Sequence, residues 1–228
     1  VSELDPAWTS GLRADALEGC PQGAIDAARR AYRSPGRVYH TWNHILACLV
    51  EFKALSFERP RPVFLAILFH DAIYIPGRKD NEEKSAQLAR MALSGADALP
   101  DEEIAVVERM ILLTAAHQSH AGKVSTDEAK FLDIDLAILG KPWPAYEEYM
   151  NGIRKEYTPA VVPASAYRAG RIAYLRRLAR APSIFITGER ESMWGEQARA
   201  NISREAGMLK AEQGFGERVF AKLFTRFR

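Results

Sequence analysis

The stretch Val63-Phe64-Leu65-Ala66-Ile67-Leu68-Phe69, followed at once by His70-Asp71, decides the reading of this chain. An unbroken apolar run has no wet side, so the segment belongs in the middle of the fold. Periodicity alone does not separate a buried strand from a buried helix. Leu, Ala and Phe dominate the run and its neighbours have helical patterns, so a central helix is expected, started by Pro60 and Pro62 and closed by Ile75-Pro76-Gly77. A carboxylate and an imidazole at the end of such a run are costly to bury unless they are paired, hydrogen-bonded or bound to a metal. Neighbouring side chains on a helix diverge by about 100°. Two of them grip one ion only off their shared flank, and the other ligands must come from other helices.

Working outward, the chain reads as helix after helix. Upstream lie Leu4 to Leu17, then Pro21 to Arg33 ended by Ser34-Pro35-Gly36, then a helix from Trp42 with apolar residues at 42, 45, 46, 49, 50 and 52. Downstream, Asp80 and Glu83 have capping-box spacing at the head of a helix to Leu93, which Ser94-Gly95 stops. Asp101 to His117 is the next helix. Ser125 or Thr126 caps another that runs to Leu139, before the Gly140-Lys141-Pro142 break. Helices then fit Ala145 to Tyr157, Ser165 to Ala179, Glu189 to Lys210 and Gly216 to Phe224. Ser183 to Thr187 is the one strand-like run, too short and isolated to build a sheet. The expectation is a single all-α domain over residues 1–228, with its chemistry in a core over about 35–140 and helices 145–228 packed on it.

Composition narrows the partners. Apolar residues are 47% and charged residues 26% of 228, the balance of a globular protein and not of a disordered chain. Lys and Arg total 31 against 29 Asp and Glu, a net charge of +2, which is no nucleic-acid footprint. Arg171, Arg176, Arg177 and Arg180 share one helix and read as a solvated face. The two cysteines, Cys20 and Cys48, make no disulfide framework. Cys48 lies in an apolar run and is expected as a buried free thiol. The first residues lack the basic-then-apolar order of a secretory leader, and no apolar run approaches the roughly 20 residues of a membrane span. A cytoplasmic protein with no membrane partner is expected.

Two further polar groups interrupt apolar surroundings: Tyr39-His40-Thr41-Trp42-Asn43-His44, and the pair of aspartates in Phe131-Leu132-Asp133-Ile134-Asp135-Leu136-Ala137-Ile138-Leu139. With His70-Asp71 they make a mixed nitrogen and oxygen donor set. His40 and His44 are one turn apart, as in zinc peptidases, but Thr41 stands where that motif carries its glutamate base. No phosphate-cradling P-loop, dinucleotide fingerprint or nucleophile elbow occurs.

The order His44, then His70-Asp71, then an aspartate within Leu132 to Leu139, resembles the HD superfamily of metal-dependent phosphohydrolases. The runs Tyr39 to Ile45, Phe69 to Tyr74 and Asp80 to Ala86 are similar to one small bacterial branch of predicted HD phosphohydrolases, as are Tyr146 to Tyr157 and Glu196 to Asn201. The likeness spans about residues 35 to 205. It implies a compact multi-helix fold around one divalent metal. The implied ligands are His44, His70, Asp71 and an aspartate of the later pair. Asp135 is chosen and Asp133 stays open, with His40 as a substitute or a supporting residue. His117 and His120 do not match the spacing by which larger branches hold a second metal.

Two imidazoles and two carboxylates leave about two open positions in an octahedral shell and suit Mn²⁺, Fe²⁺, Co²⁺ or Mg²⁺, with Zn²⁺ also able to bind. Such an ion activates a water and polarises a phosphoester. Asp71, Glu82 and Glu83 are the candidate catalytic carboxylates. Arg78, Lys79, Lys84 and His117 are candidates for contact with the phosphorylated substrate. The expected activity is hydrolysis of a phosphoester, a nucleotide by preference. The alternative is a catalytically silent module that binds a nucleotide or metal. Trp143, Trp194, Phe215 and Phe220 are available for packing or for an interface in a homodimer.

Overall fold

A computed structural model describes residues 11, 12, 14–95, 98–116 and 122–225, with side chains described as far as 212. Among the described residues the protein is all-helical, with no strand. Among the described residues, no helix is long and apolar enough to cross a membrane. The chain divides into two compact units, Val1–Ala137 with Phe185–Gly188, and Ile138–Ile184 with Glu189–Arg228.

The first unit contains α1 (Ala14–Leu17), α2 (Gln22–Ala31), α3 (Trp42–Lys53), α4 (Pro60–Phe69), α5 (Asn81–Leu93), α6 (Asp101–Leu113) and α7 (Thr126–Asp135). Helix α4 is the run that opened the sequence reading. Val63 through Phe69 are wholly buried, and α4 touches α1, α2, α3, α5, α6 and α7. Its start is fixed by sequence and by a distant carboxylate. Pro60 occupies the first turn, where a missing N–H costs nothing. The N–H groups of Glu58 and Arg59 donate to the Asp127 carboxylate on α7 at 3.1 and 2.8 Å.

The helix ends sooner than the sequence suggests. Its last residue is Phe69, with His70 as C-cap, and Ile75-Pro76-Gly77 forms a separate turn in which Gly77 takes φ 85°. The His-Asp doublet therefore sits at a helix end, where the backbone leaves the helical path. Adjacent side chains there are freed from the angular separation a continuing helix imposes.

Other differences have local causes. Asp80 stands at the N-cap of α5, as expected, but its side chain makes no cap hydrogen bond: its carboxylate takes the Arg78 guanidinium instead, with Nε to Oδ1 at 2.7 Å. Ser125 does cap α7. Its Oγ accepts the Glu128 N–H at 3.3 Å while Glu128 accepts the Ser125 N–H at 2.8 Å, a complete capping box. After Asp135 the α-helix tightens into a 3₁₀ turn, Leu136–Gly140, so α7 is shorter than the apolar run. The run Ser183 to Thr187 is not a strand. It is an irregular segment whose amides are claimed by carboxylates, as described below.

The second unit contains α8 (Trp143–Tyr157), α9 (Ala164–Arg180) and the long α10 (Gly188–Thr225), which begins in the first unit and joins the two last helices expected from sequence into one. A buried polar network holds the unit. Glu205 on α10 is fully buried and accepts from Arg171 Nε on α9 at 2.8 Å and from the Tyr146 hydroxyl on α8 at 2.5 Å. Asn201 donates to the carbonyls of Leu139 and Lys141 at 2.9 and 2.8 Å. Burial pushes the Tyr146 hydroxyl above its ordinary range and the Glu205 charge adds to the effect. Tyr146 therefore stays a donor.

Candidate metal centre

Three elements of the first unit bring four side chains together. His44 lies in the first turn of α3, which Thr41 leads in with extended backbone. His70 and Asp71 terminate α4, and Asp135 is the last residue of α7. His44 and His70 are buried, with 5% and 1% of their surface exposed, and Asp71 and Asp135 are half-buried. The cluster thus has a closed back of imidazole and a partly open front of carboxylate.

The distances are those of atoms converging on a point. Nε2 of His44 is 3.1 Å from Nε2 of His70 and 3.1 Å from Oδ1 of Asp135. His70 Nε2 is 3.3 Å from Asp71 Oδ2 and 3.4 Å from Asp135 Oδ1. The longest of these separations, His44 Nε2 to Asp71 Oδ2, is 3.8 Å. Donors held about 2.1 Å from a common ion lie about 3.0 Å apart at right angles and about 3.4 Å apart at the tetrahedral angle. The residues therefore fit a divalent cation.

Tautomer and charge agree with that fit. His70 Nδ1 lies 2.9 Å from the Ile67 carbonyl, which only accepts, so Nδ1 carries the proton. In the neutral ring the Nε2 lone pair then faces the cluster, the arrangement of a metal-ligating histidine with a carbonyl partner behind it. Burial disfavours the His70 imidazolium, but the Asp71 and Asp135 carboxylates outweigh it and hold the pKa well above the ordinary value. For Asp71 burial works against ionisation, and the His70 and His40 rings overcome it and keep the carboxyl well below its usual range. Asp71 is thus poised to face positive charge.

Geometry separates the two aspartates. Asp133 is fully buried and points to the irregular segment. It accepts the N–H of Ile186 at 2.6 Å, the N–H of Thr187 at 2.8 Å and the Thr187 hydroxyl at 2.6 Å. Asp135 faces the histidines. His40 supports from one side: its Nε2 is 4.0 Å from Asp71 Oδ2, and its ring stacks on Tyr74 at 3.8 Å.

The remaining sequence candidates lie apart. Glu82 and Glu83 occupy the first turn of α5 and, among the described residues, are not in the groups whose ligand atoms lie within 4.8 Å of one another. Arg78 pairs with Asp80, and the exposed Lys84 donates to Gln87 at 3.2 Å. Lys79 is exposed. His117 and His120 lie outside the described residues.

Several residues of the site escaped the sequence reading. Cys48 is the buried free thiol expected from the sequence, but its place beside the site was not foreseen: it lies one turn after His44, with Sγ 3.7 Å from His44 Nε2. Burial raises its pKa, and the Asp135 and Asp71 charges raise it further, so it stays protonated. Asn81 and Ser85 on α5 peg the loop after the doublet. Asn81 exchanges two 3.0 Å hydrogen bonds with the Ile75 backbone, and Ser85 Oγ accepts the Ile73 N–H at 3.0 Å. Arg37 donates to three backbone carbonyls around the cluster. The spacing of Asn81 and Ser85, one turn apart on the buried side of α5, was the available signal for the pegs. Arg37 offered none, because backbone acceptors leave no mark in a sequence.

Comparison with family models, with curated proteins and with solved structures found no match.

Proposed function

We propose that this protein is a metal-dependent phosphohydrolase acting on a phosphoester, with a nucleotide as the favoured substrate class. The observation that carries the reading is the approach of His44, His70 and Asp135 side-chain atoms to 3.1–3.4 Å of one another, with Asp71 Oδ2 3.3 Å from His70. His44, His70, Asp71 and Asp135 would hold one divalent cation. When bound, that cation supplies Lewis acidity to the phosphorus centre and lowers the pKa of a water.

The chain's own residues do the rest. His44 and His70 wall off the buried side and exclude bulk water from it. The Ile67 carbonyl holds the Nδ1 proton, so the proton that the neighbouring acids keep on the His70 ring is the one at Nε2, and a cation would take its place there. Asp71 keeps its charge on the open side, where Asp135 also stands and a cation would offset the repulsion between the two acids. Glu82 stands in the first turn of α5, beyond the loop that Asn81 and Ser85 tie to the doublet. It is the proposed proton-transfer group, and Lys79 and Lys84 are the proposed phosphate contacts.

The test is release of inorganic phosphate from a panel of nucleoside monophosphates, cyclic nucleotides and guanosine polyphosphates with Mn²⁺ present. Activity on at least one panel member, lost in Asp71→Ala while helical content is retained, is the expected result. Stabilisation by nucleotide with no product from any panel member would replace the enzyme with a binding module.

A further inference from the structure

The two sequence segments that carry His44 and Asp71 are joined by one side chain. Arg37 Nη1 donates to the His40 carbonyl at 2.9 Å and to the Asp71 carbonyl at 2.7 Å, and Nη2 donates to the Ala72 carbonyl at 2.6 Å. The Asp71 and Ala72 carbonyls lie just past Phe69, the last residue of α4, whose end carbonyls at Ala66 and Phe69 already take the His70 and Ala72 N–H groups. A cation is favoured at that end by the helix dipole. The guanidinium is also flanked by rings, with its carbon 5.0 Å from the Tyr32 ring centroid and 5.9 Å from that of Tyr74. Tyr74 in turn stacks on His40. One planar fork thus spans the approach to α3 and the doublet, and the rings on either side limit its movement.

We infer that Arg37 is a positioning residue for the metal centre: it sets the separation between the His40–His44 segment and the Asp71 backbone, and thereby the bite of the ligand set. The inference rests on the metal-site reading above. Its physical basis is that Asp71 lies beyond the last helical residue, Phe69, so its carbonyl takes its restraint from outside the helix. The Arg37 bond to its carbonyl supplies that restraint. Lys in the same place is a point charge with no fork, and cannot reach all three carbonyls together. Loss of an outer partner of a metal ligand characteristically lowers metal affinity by roughly 10- to 100-fold.

The experiment is titration of the chelator-stripped full chain with Mn²⁺, following free Mn²⁺ by electron paramagnetic resonance, for wild type, Arg37→Ala, Arg37→Lys and Arg61→Ala. Arg61 makes a bidentate pair with Glu103 at 2.7 and 2.6 Å, remote from the cluster, and controls for general loss of stability. The expected result is affinity lowered at least tenfold in Arg37→Ala, lowered to a smaller degree in Arg37→Lys, and unchanged in Arg61→Ala. Guanidinium ion at low, non-denaturing concentration restores affinity in Arg37→Ala, and sodium at equal ionic strength does not. If Arg37→Ala fails to fold, Arg37→Lys decides: weakened Mn²⁺ binding supports the assignment and wild-type binding overturns it. Wild-type affinity in both folded Arg37 variants, or absence of rescue by guanidinium, also overturns it. A wild-type chain that binds no Mn²⁺ instead removes the metal site itself, a separate outcome.

Discussion

Asp133 and Asp135, two residues apart on one helix, serve different masters: the Asp133 carboxylate binds the amides of Ile186 and Thr187, whereas Asp135 Oδ1 lies 3.1 Å from His44 Nε2. Residues so spaced point to opposite sides of a helix, about 200° apart. Asp133→Asn turns one acceptor into a donor facing an N–H, and should cost about 1–3 kcal/mol of stability while leaving Mn²⁺ binding intact. Asp135→Asn should do the reverse. Urea unfolding and metal titration of both variants separate the roles, and an exchange of the two phenotypes contradicts the assignment.

Metal binding should be visible as stability. Mn²⁺ at a hundred times its dissociation constant adds about 2.7 kcal/mol to a folded state that alone binds it. Thermal unfolding of the wild type should therefore rise with Mn²⁺, and His44→Ala and His70→Ala should show no such rise. A metal-dependent gain that survives in His70→Ala places the ion elsewhere.

These expectations rest on features that were only partly legible in the sequence. The buried run of α4 and the polar residues at its end announced both the central helix and the His-Asp pair, because an ionisable group next to so much apolar surface demands a partner. The same logic drew attention to the run Tyr39 to His44, within which the family resemblance chose His44. It did not separate Asp133 from Asp135, since both interrupt one apolar helix and the partner of Asp133 lies more than fifty residues away in sequence. It found a strand-like run at Ser183 to Thr187, too short for a sheet, where β-branched and aromatic residues follow an irregular path with amides bound by the Asp133 and Glu191 carboxylates. It gave Asp80 a capping role that the nearer Arg78 guanidinium takes away. Arg37 was silent because its partners are carbonyls that every residue carries.

The capping box of α7 makes a pH-dependent contribution. Burial disfavours the Glu128 carboxylate, but the Arg109 guanidinium and the Ser125 amide outweigh it and lower its pKa. A group whose pKa falls on folding stabilises above its unfolded value, roughly 4.3 for Glu, and that contribution is lost as pH drops through the lower folded value. Glu128→Gln keeps the capping geometry and removes only the charge, so it should cost less than about 1 kcal/mol at pH 7, and the gap from wild type should close as pH falls below about 4. A gap that stays constant with pH would show that the charge contributes nothing.

Cys20 offers a chemical check on packing in the first unit. Burial pushes its thiol up to about 12, with Arg61 opposing and Glu103 adding, and Sγ lies 3.3 Å from the Ala16 carbonyl. The thiolate is the reactive form, so Cys20 should resist iodoacetamide at pH 8 in the native chain and react quickly after denaturation. Rapid labelling of the native protein, located by peptide mapping, contradicts the placement of α1.

The central claim is tested most directly by elemental analysis and Mn²⁺ titration of the full chain, purified without chelator, beside His70→Ala. The account predicts one divalent ion per chain in the wild type, removable by chelator and restored by Mn²⁺, and none in the variant. A folded wild-type chain that carries no ion and takes up none, from Mn²⁺, Fe²⁺, Co²⁺, Zn²⁺ or Mg²⁺, would contradict it.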